Sequence, residues 1–321
     1  MKRFVLVLAL IIGSAVNSVG QVSYDEVHHE NIPDYFKEGA FLYPILFEPM
    51  LDSFKQLDDT PVMKAILNTY CMLSHTIIGT RIPDGKIEST LSLVEEHMGS
   101  DNTIYGLAMI AKANEAGEDI EMLTEAAQII GESAGEDSWE YAYALFCCAC
   151  AAMDAEKYGD MSRSIAYADR CVEILENDHK ESWLYKMALV NRGSAKFLNM
   201  DESGLNEIVD GFTLLSDFED ERNLCSYCLA GINVASIYAM MSEYDLAVAM
   251  LQDIEPFLVE LDCTASNSYI ALSKAMVYSC VNSKKKKMAK EYMQKAEQAC
   301  IERYGEDSQQ YKDLEPYRQM L

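Results

Sequence analysis

The chain carries ten cysteines, five histidines and one run of four lysines, and these are the residues whose types could do chemistry. Cys147 with Cys150 and Cys225 with Cys228 have the i, i+3 spacing of a dithiol redox pair. That chemistry needs Cys-x-x-Cys at a helix N-terminus, after a strand, where the thiolate is stabilised. No strand-like run precedes Cys225. Cys71, Cys147, Cys150, Cys171, Cys228, Cys263, Cys280 and Cys300 all fall within or beside apolar helical faces. A cysteine there behaves as a small hydrophobe, so mostly reduced, buried thiols are expected. His28-His29-Glu30 is the one local group with metal-ligand character. Adjacent histidines point different ways on any regular element and rarely chelate alone, and His75, His97 and His179 are scattered. No Gly-rich phosphate loop, Gly-x-Ser-x-Gly elbow or His-Glu-x-x-His stretch occurs. Glu95-Glu96 and Asp220-Glu221 read as solvated charges at helix ends. The expectation is a chain without catalytic residues, metal site or cofactor. Lys284, Lys285, Lys286 and Lys287 fall in a turn and read as a solvated run. Docking of an anionic partner or lipid headgroup is the sharper alternative for them.

The elements that must position these residues are helices. Leu, Ala, Met, Glu and Tyr dominate, prolines number 7 and glycines 16, and no useful β-type alternation occurs. Tyr105, Tyr141, Tyr185, Tyr227, Tyr269 and Tyr311 recur at spacings of 36, 44, 42, 42 and 42 residues. So regular a period marks stacked supersecondary units. The clearest unit, Tyr227 to Asp262, reads as two amphipathic helices joined by Ser242-Glu243-Tyr244-Asp245. Ala235 and Tyr238 lie in its first helix; Tyr244, Ala247 and Leu251 lie in its second. The small residues let the two helices approach, and the bulky ones fill the space beside them. Ala289, Met293 and Ala296 repeat the pattern 42 residues beyond Ala247, Leu251 and Ile254.

This arrangement resembles the tetratricopeptide repeat, whose pattern places a small residue and an aromatic in the first helix, then Tyr, Ala and a large apolar residue in the second. Ala113, Ala149 and Gly193 supply the small residue in their units. The usual period of that family is about 34 residues, so units of 42 carry about two extra helical turns. The longer form is similar to the repeats of the kinesin light chain group, where an acidic stretch precedes each first helix. Gly135-Glu136-Asp137-Ser138 and Gly305-Glu306-Asp307-Ser308 have that look. The terminal proline of the repeat is missing from most units, and the register slips by a residue around Gly193. What the resemblance implies is an all-α solenoid of stacked antiparallel hairpins, a right-handed superhelix with first helices lining a concave groove. Tyr143, Phe146, Met187, Phe197, Ile232 and Met240 are then the side chains projected inward, and the groove takes an apolar or amphipathic protein or peptide segment.

Residues 1–20 have a basic start, an apolar run and small residues at Ser18 and Gly20, as in a secretory signal cleaved after Gly20. The run is too short to span a membrane as a helix. No Asn-x-Ser/Thr triplet occurs, which favours a bacterial exported protein, whether periplasmic, cell-surface or secreted. Residues 21–58, with an aromatic cluster and Pro44 and Pro49, read as an N-terminal cap over the first hairpin. Residues 59–321 form the repeat domain: 59–98 an extra diverged unit, 99–304 clear repeats, 305–321 a capping helix. The net charge is −26. Nucleic acid is therefore a poor partner, because phosphates need Lys and Arg; the acidity serves solubility. The function expected is a non-catalytic scaffold. A structural subunit of an envelope or secreted assembly and, below it, an enzyme on a helical scaffold are the alternatives. Thiol titration of the denatured protein, prepared without reductant, should find most of the ten cysteines free; four or five intact disulfides would overturn the argument from helix position.

Overall fold

The computed structural model describes residues 32–38, 60–155, 161–216 and 224–321. It is all-α, with no strand among the described residues. A short helix, α1 (Ile32–Glu38), is followed by helices paired into hairpins. These are α2 (Pro61–Ile78) with α3 (Lys86–Met98), α4 (Thr103–Glu115) with α5 (Ile120–Ala134), and α6 (Trp139–Ala155) with α7 (Ser162–Asp178). Then come α8 (Trp183–Leu198) with α9 (Gly204–Leu215), α10 (Leu224–Met240) with α11 (Tyr244–Glu260), and α12 (Asn267–Asn282) with α13 (Lys286–Tyr304). Two short helices, α14 (Gln309–Lys312) and α15 (Glu315–Gln319), end the chain. Each hairpin packs on the next, which makes the molecule a helical solenoid.

The tyrosine period is the joint between hairpins. Asn102, Ser138, Ser182, Ser266 and Ser308 each accept a hydrogen bond, at 3.1–3.2 Å, from the backbone N–H three residues on. Those N–H groups belong to Tyr105, Tyr141, Tyr185, Tyr269 and Tyr311, so a polar cap starts the helix and fixes where the ring stands. The ring then meets the second helix of the preceding hairpin. Tyr141 covers Gly131 of α5, where an added Cβ would sit 3.0 Å from the ring. Tyr227 stacks on Phe212 of α9 at 5.0 Å, and the Tyr269 hydroxyl donates to Glu255 of α11 at 2.8 Å. Burial works to raise the Glu255 pKa, but bonds from Lys295, Tyr292 and Tyr269 outweigh it and hold the carboxyl below its usual range.

Within hairpins a second regularity appears. Met200, Ser242 and Lys284, each 42 residues from the next, occupy the left-handed region at φ 63°, 66° and 63°. The following residue's N–H reaches back to the carbonyls of Lys196, Tyr238 and Cys280 at 2.7–2.9 Å, closing the first helix. The first lysine of the basic run is thus a turn residue. Contact between α8 and α9 is the tightest of the hairpins: a Cβ on Gly193 would lie 2.5 Å from the Gly204 carbonyl oxygen. Only glycine lets the backbones meet there.

Of the segment expected to cap the first hairpin, only α1 is described, and it contacts that hairpin and two later ones. Ile32 and Phe36 of α1 are 0% exposed. The Phe36 ring makes edge contacts with Tyr70 of α2, Trp139 and Tyr143 of α6, and Trp183 of α8, at 5.2–6.2 Å. Trp183 Nε1 donates to the Phe36 carbonyl at 3.0 Å, and Lys37 pairs with Glu140 at 2.8 Å. This helix lies against α2, α6 and α8, because Phe36 finds four aromatic partners there. Residues 1–20, His28-His29-Glu30 and most of the expected cap lie outside the described residues.

The stack also turns back on itself. Asn267 N donates to the Gly79 carbonyl at 3.0 Å, and Ser268 Oγ to the Ile78 carbonyl at 2.7 Å. Arg303 Nε donates to Gly79 O at 3.1 Å, and its two terminal nitrogens hold both carboxylate oxygens of Glu115, at 3.0 and 2.6 Å. The last full hairpin is thereby bonded to the first two. The Arg303 side chain is 4% exposed and that of Glu115 24%. Removing one partner of such a pair strands a buried charge. Glu115→Ala should therefore cost about 3 kcal/mol in urea unfolding, the low end of the buried-pair range because Glu115 is partly solvated. The same loss from Glu297→Ala, in the more exposed pair with Arg318, would show that closure has no special weight.

Candidate functional site

The inner helices α2, α4, α6, α8, α10 and α12 all reach one cavity of about 460 Å³. Its apolar wall is built from Ile77, Ile78, Tyr143, Phe146, Met153, Trp183, Met187, Leu229 and Ile232. Polar residues interrupt it: Thr76, Asn114, Glu118, Asp154, Asn191, Asn233, Asn267 and Ser268. A concave lining of apolar side chains with polar groups placed among them is that of a ligand pocket. Local sequence explains the placement. Trp183, Met187 and Asn191 follow one another at i+4 on α8, as do Tyr143 and Cys147 on α6, and that spacing holds them on one helical face.

Of the six side chains expected to face inward, Tyr143, Phe146, Met187 and Ile232 line this cavity. The other two do not. Phe197 packs with Ile208, Val234 and Ile237 in a separate cluster between hairpins, and Met240 is 57% exposed at the end of α10. Ten residues separate Phe197 from Met187, and eight separate Met240 from Ile232. At 100° per residue each lies about 80° around its helix from the inward residue. Tyr143 is also less a contact surface than a wall, being 1% exposed and held against Phe36.

The lysine run lies away from the cavity and is not a single patch. Lys285 pairs with Asp245 at 2.6 Å, and Lys287 lies 3.9 Å from Glu291. Among the described residues no group of histidines, cysteines and carboxylates is arranged to hold a metal ion, and no helix is long and apolar enough to cross a membrane.

Sequence reasoning missed the asparagines. Asn191 and Asn233 are 42 residues apart, the same repeat position in successive units, so the period that exposed the tyrosines would have exposed them too. Asn191 is 4% exposed; its Nδ2 donates to Cys150 Sγ at 2.9 Å and its Oδ1 has no partner.

All ten cysteines are free thiols. Burial holds the Cys147 thiol well above its usual range, with the neighbouring Cys148 adding to the effect. Burial likewise raises Cys150, reinforced by Glu118, Cys147 and Asp154, while the bond from Asn191 works against them. Tyr143 is raised chiefly by burial. These groups are protonated at neutral pH and poor nucleophiles. The arrangement can hold a ligand by shape and hydrogen bonds, and its cysteines and Tyr143 are not activated as nucleophiles.

No protein-family model matches the chain, and no curated protein matches it at a significant level. At pH 8 the native protein should alkylate Cys147 and Cys150 far more slowly than the urea-unfolded chain does, with Cys150, the less buried of the two, the faster. Equal rates in the native and unfolded chains would contradict the protonated, enclosed thiols described above.

Proposed function

We propose that this chain is a non-catalytic, tetratricopeptide-like scaffold that holds a protein or peptide segment on its inner face. The observation that supports this reading is the convergence of six inner helices on one cavity of about 460 Å³ whose lining is more apolar than polar. Side chains from successive repeats then present a continuous lining to a single extended or helical guest. The chain supplies its own example of such a guest. Helix α1 is seven residues long, and its Phe36 is held by aromatic rings from α2, α6 and α8. A short segment anchored by bulky apolar side chains is thus a species that this inner face accommodates. The apolar run at residues 1–20 adds an exported location to the proposal.

The test is retention of peptides from a random heptapeptide pool, rich in leucine, phenylalanine and methionine, by the immobilised full-length chain. Phe146→Ser, in the cavity wall, should lower retention by about tenfold, the loss of one well-packed aromatic anchor. Met240→Ser should leave retention unchanged. If neither the parent chain nor Met240→Ser retains any peptide, or if Phe146→Ser retains as much as the parent, the groove reading falls.

A further inference from the structure

We infer that the chain is a two-part clamp, α1–α9 against α10–α15, that opens at the seam joining its first and last hairpins. A guest in the cavity between the two parts holds that seam shut. The inference rests on the groove reading above for its guest, and adds how the guest is taken in and kept. Four observations carry it.

First, each part is braced within itself. Helix α1 ties the first, third and fourth hairpins together. Its Phe36 ring meets Tyr70 of α2, Trp139 of α6 and Trp183 of α8, and Trp183 Nε1 donates to the Phe36 carbonyl. In the other part Glu255 of α11 accepts from Tyr269 of α12 at 2.8 Å, and from Tyr292 and Lys295 of α13, the lysine at 2.6 Å. One carboxylate thus fixes three helices of the last two full hairpins. Second, the cavity lies where the two parts face each other. Ile78, Gly79 and Asn114 line it from one part, and Ile232, Asn267 and Ser268 from the other. A ligand that touches both sets binds the closed arrangement better than the open one, so its affinity adds to the closure by linkage.

Third, the two lines of contact between the parts differ in kind. Along the chain, α9 and α10 meet through apolar side chains: Tyr227 stacks on Phe212 at 5.0 Å, and Ile208 packs with Val234 and Ile237. Apolar contact is non-directional and survives the small rotations of a hinge. At the seam the contacts are directional. The Gly79 carbonyl accepts from Asn267 N at 3.0 Å and Arg303 Nε at 3.1 Å, and Arg303 holds both carboxylate oxygens of Glu115. Rotation about the apolar joint is therefore felt at the seam first. Fourth, opening returns water to Glu115 and to Arg303, whose side chain is 4% exposed, at the same time. Hydrating a buried pair together offsets much of the attraction lost, whereas removing one partner strands the other. Arg303 and Glu115, neither of which lines the cavity, are thus positioning residues for the guest.

The experiment opposes like charges across the seam of the full-length chain. Arg303→Glu sets a second carboxylate against Glu115, and Glu115→Arg alone sets a second guanidinium against Arg303. Small-angle X-ray scattering reads compactness, circular dichroism reads helix content, and retention of the apolar heptapeptide pool reads the guest. Either variant should raise the radius of gyration above the parent's at unchanged helix content. Retention should fall about tenfold, as it must when the closed, competent fraction falls tenfold. The charge swap Glu115→Arg/Arg303→Glu restores an opposite pair and should bring both readouts back towards the parent, a rescue that lost core packing would not show. An unchanged radius, a loss of helix in both single variants, or a swap as open as they are overturns the clamp and leaves the groove standing. Retention unchanged in a variant that has opened overturns the clamp as the means of holding a guest. If the parent itself retains no peptide, the groove reading falls and the coupling with it, and the scattering alone decides the two parts.

Discussion

The carbonyl oxygen of Gly79 accepts from Asn267 N and from Arg303 Nε, the latter 224 residues further along the chain. Gly79 ends α2 in the left-handed region at φ +79°, and a Cβ there would lie 2.5 Å from Asn267 Cβ. No other residue can stand in that place without moving α12. Repeat solenoids ordinarily contact only their neighbours. Here the first hairpins and the last are bonded, so helices from both ends of the chain line the same cavity. The buried guanidinium of Arg303, with its paired Glu115, is tolerable only while that closure holds.

Around this constraint the rest of the architecture is local and repetitive. A Ser or Asn cap starts a first helix, a tyrosine three residues later reaches the hairpin behind it, and a left-handed residue turns the chain into the second helix. Each device spans a few residues, works the same way in unit after unit, and needs no knowledge of the far end of the chain. The asparagine, cysteine and carboxylate groups of the cavity ride on that scaffold at repeat positions whose backbone is already fixed.

The difference between local and long-range determinants explains what could be read from the sequence. Helix content, the hairpin order and the period were legible because tyrosine spacing and small-residue spacing are local signals. Thr60 and Gly79 marked the two ends of α2 by their chemistry alone. Of the six side chains read as inward, Tyr143, Phe146, Met187 and Ile232 line the cavity and Phe197 and Met240 do not, since a helix face is lost after two or three turns without a fixed reference. Neither the closure through Gly79 and Arg303 nor the seat of Phe36 between α2, α6 and α8 leaves any local trace. Both join residues more than 100 positions apart. Asn191 is different: the 42-residue period that links it to Asn233 was present in the sequence, and only its burial had to wait for the structure.

Closure also sets a rule of arithmetic. An open array of hairpins can gain or lose a unit by duplication or deletion of its coding segment, since the new end resembles the old one. Here the bonds at Gly79 require that the last full hairpin arrive at one particular place after a fixed number of rotations. One unit more carries Asn267 and Arg303 past their partners, and one fewer leaves them short. Lineages bearing this closure should therefore vary in turn length and surface, while the number of hairpins stays an invariant integer.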